Sequence, residues 1–172
     1  MLHILWDAEV ALREMLSEPN DSWNTMDITY HDPHVQRCWK QFRTDYRVML
    51  HRIHPCGHGN ALWHSHPYPS AVSIVSGTYE HDVGYMDDES NGKAILPLTR
   101  TLLERGSRYE MLNPKAWHSV RPISPDCLTI MVTGVPYKEK PTHKPLAIPD
   151  ERQGPLSDEV RDELLAEFHR RC

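Results

Sequence analysis

The sequence predicts a mainly β protein with a helix at each end. Three observations carry this. From Tyr46 onward, short runs rich in strand-forming residues follow one another closely; glycine, proline and asparagine turn signals separate them; and the two ends of the chain instead space their apolar residues at helical intervals.

At the N-terminal end, "LHILWDAEVALREML" (residues 2–16) places Leu5, Leu12, Met15 and Leu16 on one stripe with charges between them, and Glu18-Pro19-Asn20-Asp21 stops it. A second short helix is expected over residues 34–42, where Val35, Cys38, Trp39 and Phe42 fall at i, i+3, i+4 and i+7. "YRVMLHRIH" then alternates as a strand does, and "PCGHGN" is a turn. Further strands are expected over residues 61–66, 71–76, 79–85, 98–103, 118–122 and 128–133, punctuated by Gly77, Gly84, Asn91-Gly92, Gly106, Asn113-Pro114 and Pro125-Asp126. Six or more short strands at this spacing suit a sandwich or barrel. A proline-rich arm follows Gly134. It leads into "LSDEVRDELLAEFHRRC", where Ser157 can cap, Asp158 and Glu159 suit a helix N-terminus, Arg170 and Arg171 suit its C-terminus, and Val160, Leu164 and Phe168 form the apolar stripe. The expected organisation is one structural domain: a helical arm over 1–45, a β-barrel over 46–136, and an arm with a terminal helix over 137–172.

Composition narrows the function classes. The 172 residues carry 19 basic and 24 acidic side chains, a formal charge of −5. Lys138, Lys140 and Lys144 are interrupted by glutamate and prolines, so no basic cluster is dense enough for nucleic acid or an acidic membrane surface. No apolar run approaches a membrane span. Cys38, Cys56, Cys127 and Cys172 are scattered without a CxxC pair, and no secretory leader is read, so reduced thiols and a cytoplasmic location are expected.

The chemistry lies in the histidines, of which there are twelve. On a strand, His64 and His66 in "WHSHPYPSAVSIVSG" would share one face, about 7 Å apart. Imidazole is the commonest ligand of transition metals, and a mononuclear site needs a third donor. His118, after a turn in "LLERGSRYEMLNPKAWHSV", can supply it. The alternative is a polar stripe without metal, and His51, His54 and His58 are rival ligands crowded around the turn.

The HxH pair, the glycine eleven residues on at Gly77 and the lone His118 after a Pro-containing turn resemble the two motifs of the cupin superfamily over roughly residues 46–136. The usual glutamate position of the first motif is Ser70. In the second, Gly106 and Pro114 are present, but the Pro114 to His118 spacing is one short and Pro122 replaces the usual asparagine. The resemblance implies a double-stranded β-helix, or jelly-roll barrel, with His64, His66 and His118 as metal ligands. A three-histidine set resembles the thiol dioxygenases and some aromatic-ring dioxygenases of that superfamily, which implies Fe(II), with Zn, Ni, Mn or Cu as alternatives. O₂ and a small organic molecule would then be the reactants. The similarity to the cysteine dioxygenase group is partial: Thr129, Met131 and Thr133 stand where that group has Ser-x-His-x-Tyr, and no crosslinking cysteine stands near Ser70.

Tyr109 is the expected acid–base residue. Arg37 or Arg52 is expected to hold an anionic substrate group, and Tyr68, Tyr79, Trp117 and Met131 are expected to line the pocket. A homodimer is expected by analogy with small cupins whose edge strands pair. Two other readings stay open: a non-catalytic ligand-binding or sensory protein, and a metal-dependent isomerase or hydrolase using Glu80 or Glu110.

Overall fold

A computed structural model describes residues 1–86, 94–125, 127–138 and 154–172. Helix α1 (Leu2–Ser17) and a 3₁₀ turn (Asn20–Ser22) precede nine strands: β1 (Asn24–Ile28), β2 (Val35–Phe42), β3 (Tyr46–Ile53), β4 (Ser70–Ser76), β5 (Thr78–Met86), β6 (Ile95–Glu104), β7 (Arg108–Met111), β8 (Ala116–Pro122) and β9 (Cys127–Thr133). Helix α2 (Asp158–Arg171) closes the chain. One sheet runs β1-β2-β3-β9-β4-β7 and the other β6-β5-β8, with every pairing antiparallel. This is the jelly-roll barrel with terminal helices that the sequence predicts.

The larger sheet is apolar on both faces, and that explains its sequence. Successive strand side chains alternate between faces. Cys38, Val48, Leu50, Leu128, Ile130 and Val132 point outward and pack against Leu5, Leu12, Leu164 and Phe168 of the two helices. Met49, Ile53, Val72, Ile74, Cys127 and Met131 point inward, where they meet Tyr79, Leu103 and Val120 of the smaller sheet. The α1 stripe is buried as expected at Leu5, Leu12, Met15 and Leu16. Ser157 caps α2, its hydroxyl accepting from the Val160 N–H at 3.3 Å.

Two local expectations are corrected, and two strands are added. Residues 35–42 form β2, paired with both β1 and β3, rather than a helix. Its apolar residues serve two covered faces, and the resulting spacing imitates a helical one. Residues 61–66 form no strand; within them only His64 makes a β-bridge, to His118. Residues 24–28 and 108–111 add strands without a strong sequence signal. The turns expected at Asn91-Gly92 and Asp126, and most of the proline-rich arm, lie outside the described residues.

Two glycines have steric reasons to be there. Gly77 turns β4 into β5 with φ of 81°, in the left-handed region that glycine favours. At Gly84, beside a bulge in the β5–β6 ladder, a Cβ would sit 2.4 Å from the Leu96 carbonyl oxygen.

Helix α2 covers the outward face of the larger sheet through Phe168, which is fully buried. Phe168→Ala is expected to lower unfolding free energy by about 3–5 kcal/mol, read as a shift in urea midpoint at constant slope. An unchanged midpoint would mean that α2 is not part of the cooperative unit.

Candidate metal centre

The loop after β3 carries two of the three histidines, and backbone hydrogen bonds hold it to the barrel. Leu62 N–H donates to the Asp32 carbonyl at 2.8 Å, Gly134 N–H to Pro69 at 2.9 Å and Tyr137 N–H to Pro67 at 2.8 Å. His64 and His118 exchange reciprocal N–H···O bonds, each 2.9 Å. A directly opposed antiparallel pair puts both side chains on one face. His66 enters from the same loop.

The three rings converge through their Nε2 atoms. His118 Nε2 is 2.8 Å from His66 Nε2 and 2.9 Å from His64 Nε2, and the three donor atoms lie within 4.8 Å of one another. One tautomer has a visible origin. His64 Nδ1 lies 3.2 Å from the Leu62 carbonyl, which can only accept, so its proton sits on Nδ1 and its lone pair on Nε2. His118 Nδ1 lies 3.0 Å from His81 Nε2. Lone pairs facing one another at such distances repel unless a cation or a shared proton lies among them. Three converging imidazoles, two of them with the outer nitrogen engaged, are the donor set that zinc and iron take, and cis donors about 2.1 Å from a metal stand about 3.0 Å apart. The residues therefore fit a metal ion.

Burial keeps these imidazoles neutral. Desolvation lowers His64 to about 4 and His81 to about 4, and it pushes His51, His66 and His118 well below the ordinary range. Neighbouring Arg37 adds to the lowering at His51, His64 and His66.

The rings open into a cavity of about 270 Å³. Its apolar wall includes Ile28, Val35, Ile53, Leu62, Val120 and Met131, and Tyr68 stacks on His66 with ring centroids 5.5 Å apart. Arg37 supplies the positive charge, and no carboxylate lines the cavity among the described residues. The Arg37 Nε–H donates to His51 Nε2 at 2.8 Å, so His51 carries its proton on Nδ1 and donates to Thr129 Oγ1 at 3.2 Å. His51 thus serves Arg37 rather than competing for a metal. The rival candidate His54 stacks on His34 with centroids 4.5 Å apart.

Other expected site residues lie elsewhere. Arg52 faces outward and binds Glu163 at 3.1 Å, Glu167 at 3.1 Å and Gln36 at 2.9 Å, so it ties α2 to the barrel instead of lining the cavity. Trp117 is buried, but it precedes His118 on β8 and so points to the opposite face. Tyr79 and Tyr109 stand behind His118: the Tyr79 hydroxyl donates to that of Tyr109 at 3.0 Å, and the Tyr109 ring packs on His81. Burial raises both phenols, and neither lines the cavity. Glu80 pairs with Arg121 at 2.8 Å and Glu110 with the N-terminal ammonium at 3.1 Å, also outside the cavity. Sequence reasoning missed His31 and Tyr30 of the cavity wall, and His81; alternation from Tyr79 along β5 was the one available signal for His81.

No family model matches the sequence, and no curated protein matches it. Solved structures do. Fe(II)-HppE with the alternative substrate (S)-1-HPP matches with TM-score 0.53 at 11% identity, over 67% of this chain and 58% of that one. Hydroxypropylphosphonic acid epoxidase from S. wedmorenis matches with TM-score 0.52 at 12% identity, over 67% and 57%. An RmlC-like cupin from Shewanella frigidimarina gives TM-score 0.48 at 15% identity, over 71% and 91%. The likeness to HppE and the epoxidase is one of fold, a barrel of two antiparallel sheets. The chain spans a little over half the length of the HppE and epoxidase chains it matches. No described helix is long and apolar enough to cross a membrane.

The metal-free protein should lose stability with acid in a defined window. The unfolded histidines titrate near 6.5 and the folded ones lower, so between these values the unfolded chain binds more protons. The contribution is full above pH 6.5 and declines as pH falls toward about 4. Urea midpoints of metal-free protein from pH 7 to 4 are expected to fall, less steeply in His64→Ala, and parallel curves would contradict the assignment.

Proposed function

We propose that this cupin is a mononuclear non-haem metal enzyme, holding Fe(II) through His64, His66 and His118 and using O₂ to oxidise a small anionic organic molecule. The observation that carries the reading is three imidazole Nε2 atoms converging at the floor of a partly apolar cavity beside an arginine without a carboxylate partner. When bound, iron would supply the redox chemistry and open coordination positions for substrate and O₂.

The chain's own residues bind, orient and exclude water. Three neutral ligands and Arg37 leave the cavity positively charged once a divalent ion is present, so a negatively charged substrate is favoured. Arg37, held by His51 through Nε and donating from Nη1 to the Met26 sulfur at 3.9 Å, keeps further N–H donors on its terminal nitrogens for a carboxylate or similar oxyanion. Met131, Tyr68 and the aliphatic wall exclude water from the rest of the ligand. Acid–base work by Tyr109 would have to pass through His81, because the ring packs there rather than on the cavity. The absence of carboxylates from the described cavity wall disfavours a hydrolase or isomerase needing Glu80 or Glu110 as base.

Elemental analysis of purified protein tests the centre. Near one equivalent of iron, lost in a His64→Ala, His118→Ala variant, is expected, with O₂ consumption on small thiol or aromatic acids. Stoichiometric zinc with no O₂ uptake would replace this reading with a ligand-binding or non-redox one. For an accepted substrate, Arg37→Met is expected to raise KM about 10- to 100-fold, as loss of a charged hydrogen bond does. An unchanged KM would remove Arg37 from the substrate site.

A further inference from the structure

The geometry points to His81 as the residue that orients His118 for metal binding, acting from behind the site. This inference rests on the three-histidine metal reading above. His81 lies on β5, two residues from Tyr79 and on the same face, and only 5% of it is exposed. Its Nε2 stands 3.0 Å from His118 Nδ1.

A neutral imidazole has one N–H and one lone pair. For His118 Nε2 to present a lone pair beside His64 and His66, its proton must sit on Nδ1. The atom facing that proton is His81 Nε2, which therefore accepts and leaves the His81 proton on its own Nδ1. An acceptor here selects the binding tautomer of His118 and fixes the plane of its ring.

His81 is itself held in place. The Tyr109 ring packs against it with centroids 4.2 Å apart and planes 34° apart, and the Tyr79 hydroxyl donates to Tyr109 at 3.0 Å. Because His81 Nε2 addresses Nδ1 of His118, on the far side of that ring from the converging Nε2 atoms, it is a positioning residue and not a fourth ligand. Its chemistry matters as much as its place. Metal-ligating histidines commonly donate to a carboxylate, which adds negative charge behind the ligand. A neutral imidazole orients His118 without that charge, so the cavity keeps the full positive charge of a bound ion beside Arg37.

Co(II) titration of the metal-free full-length chain tests this, read by the absorption of bound Co(II) in competition with a chelator. A His81→Gln side chain can place its amide oxygen near the position of Nε2, whereas His81→Phe offers no acceptor. His81→Phe is expected to weaken Co(II) binding about 10- to 100-fold, and His81→Gln to recover most of the loss. Phe equal to wild type, or Gln as weak as Phe, would overturn the role of His81 while leaving the metal site intact. Wild-type protein that binds no Co(II) would overturn the metal reading and this inference together. A measurement without variants covers the case in which a substitution prevents folding. Imidazole nitrogen NMR of the Zn(II)-loaded protein should find both His118 and His81 protonated on Nδ1. A proton on His81 Nε2 would contradict the proposal.

Discussion

The reciprocal backbone bridge between His64 and His118 organises the site. Most of the chain between β3 and β4 has no regular strand, yet it must deliver two imidazoles to a third carried by β8. Two hydrogen bonds of 2.9 Å make His64 and His118 a directly opposed pair, and their rings then meet with centroids 4.4 Å apart. Bonds from Leu62, Gly134 and Tyr137 hold the same loop to its surroundings, which places His66 within reach of the pair. The site is therefore rigid through backbone pairing, and its side chains need no ladder of their own.

The electrostatics follow from that placement. Burial opposes protonation of each imidazole, which preserves the lone pairs a metal needs. The same burial isolates Arg37, whose guanidinium is lowered by desolvation. Its described polar partner within the cavity is the neutral His51, and Thr129 holds His51 in turn. Two histidine-centred pairs thus do parallel jobs: His81 faces His118, and His51 faces Arg37. Neither introduces negative charge, so both leave the cavity suited to an anion.

The two sheets differ in what covers them, and their sequences record it. The larger sheet lies between the helices and the barrel interior, so β3, β4 and β9 are apolar on both faces. The smaller sheet ends in β6, where Leu96, Leu98 and Leu102 are more than half exposed beside charged neighbours such as Arg100 and Glu104. Arg52 belongs to the first arrangement. It reaches the acidic face of α2 because its side of β3 looks outward, opposite to His51.

Much of the architecture was legible in the sequence. Both terminal helices, the Ser157 cap, most barrel strands and the three converging histidines follow from periodicity, turn chemistry and motif spacing. Residues 35–42 were misread because periodicity reports which positions avoid water, and a strand covered on both faces has no single period to show. The placement of Tyr109, Tyr79 and His81 behind His118, of Arg52 outside and of His51 beside Arg37 could not be read in the same way. These depend on which strands pair and in which register, and one residue of shift would turn each side chain to the other face. Local residue chemistry supplied the imidazoles; only strand pairing decided which of the twelve face one another.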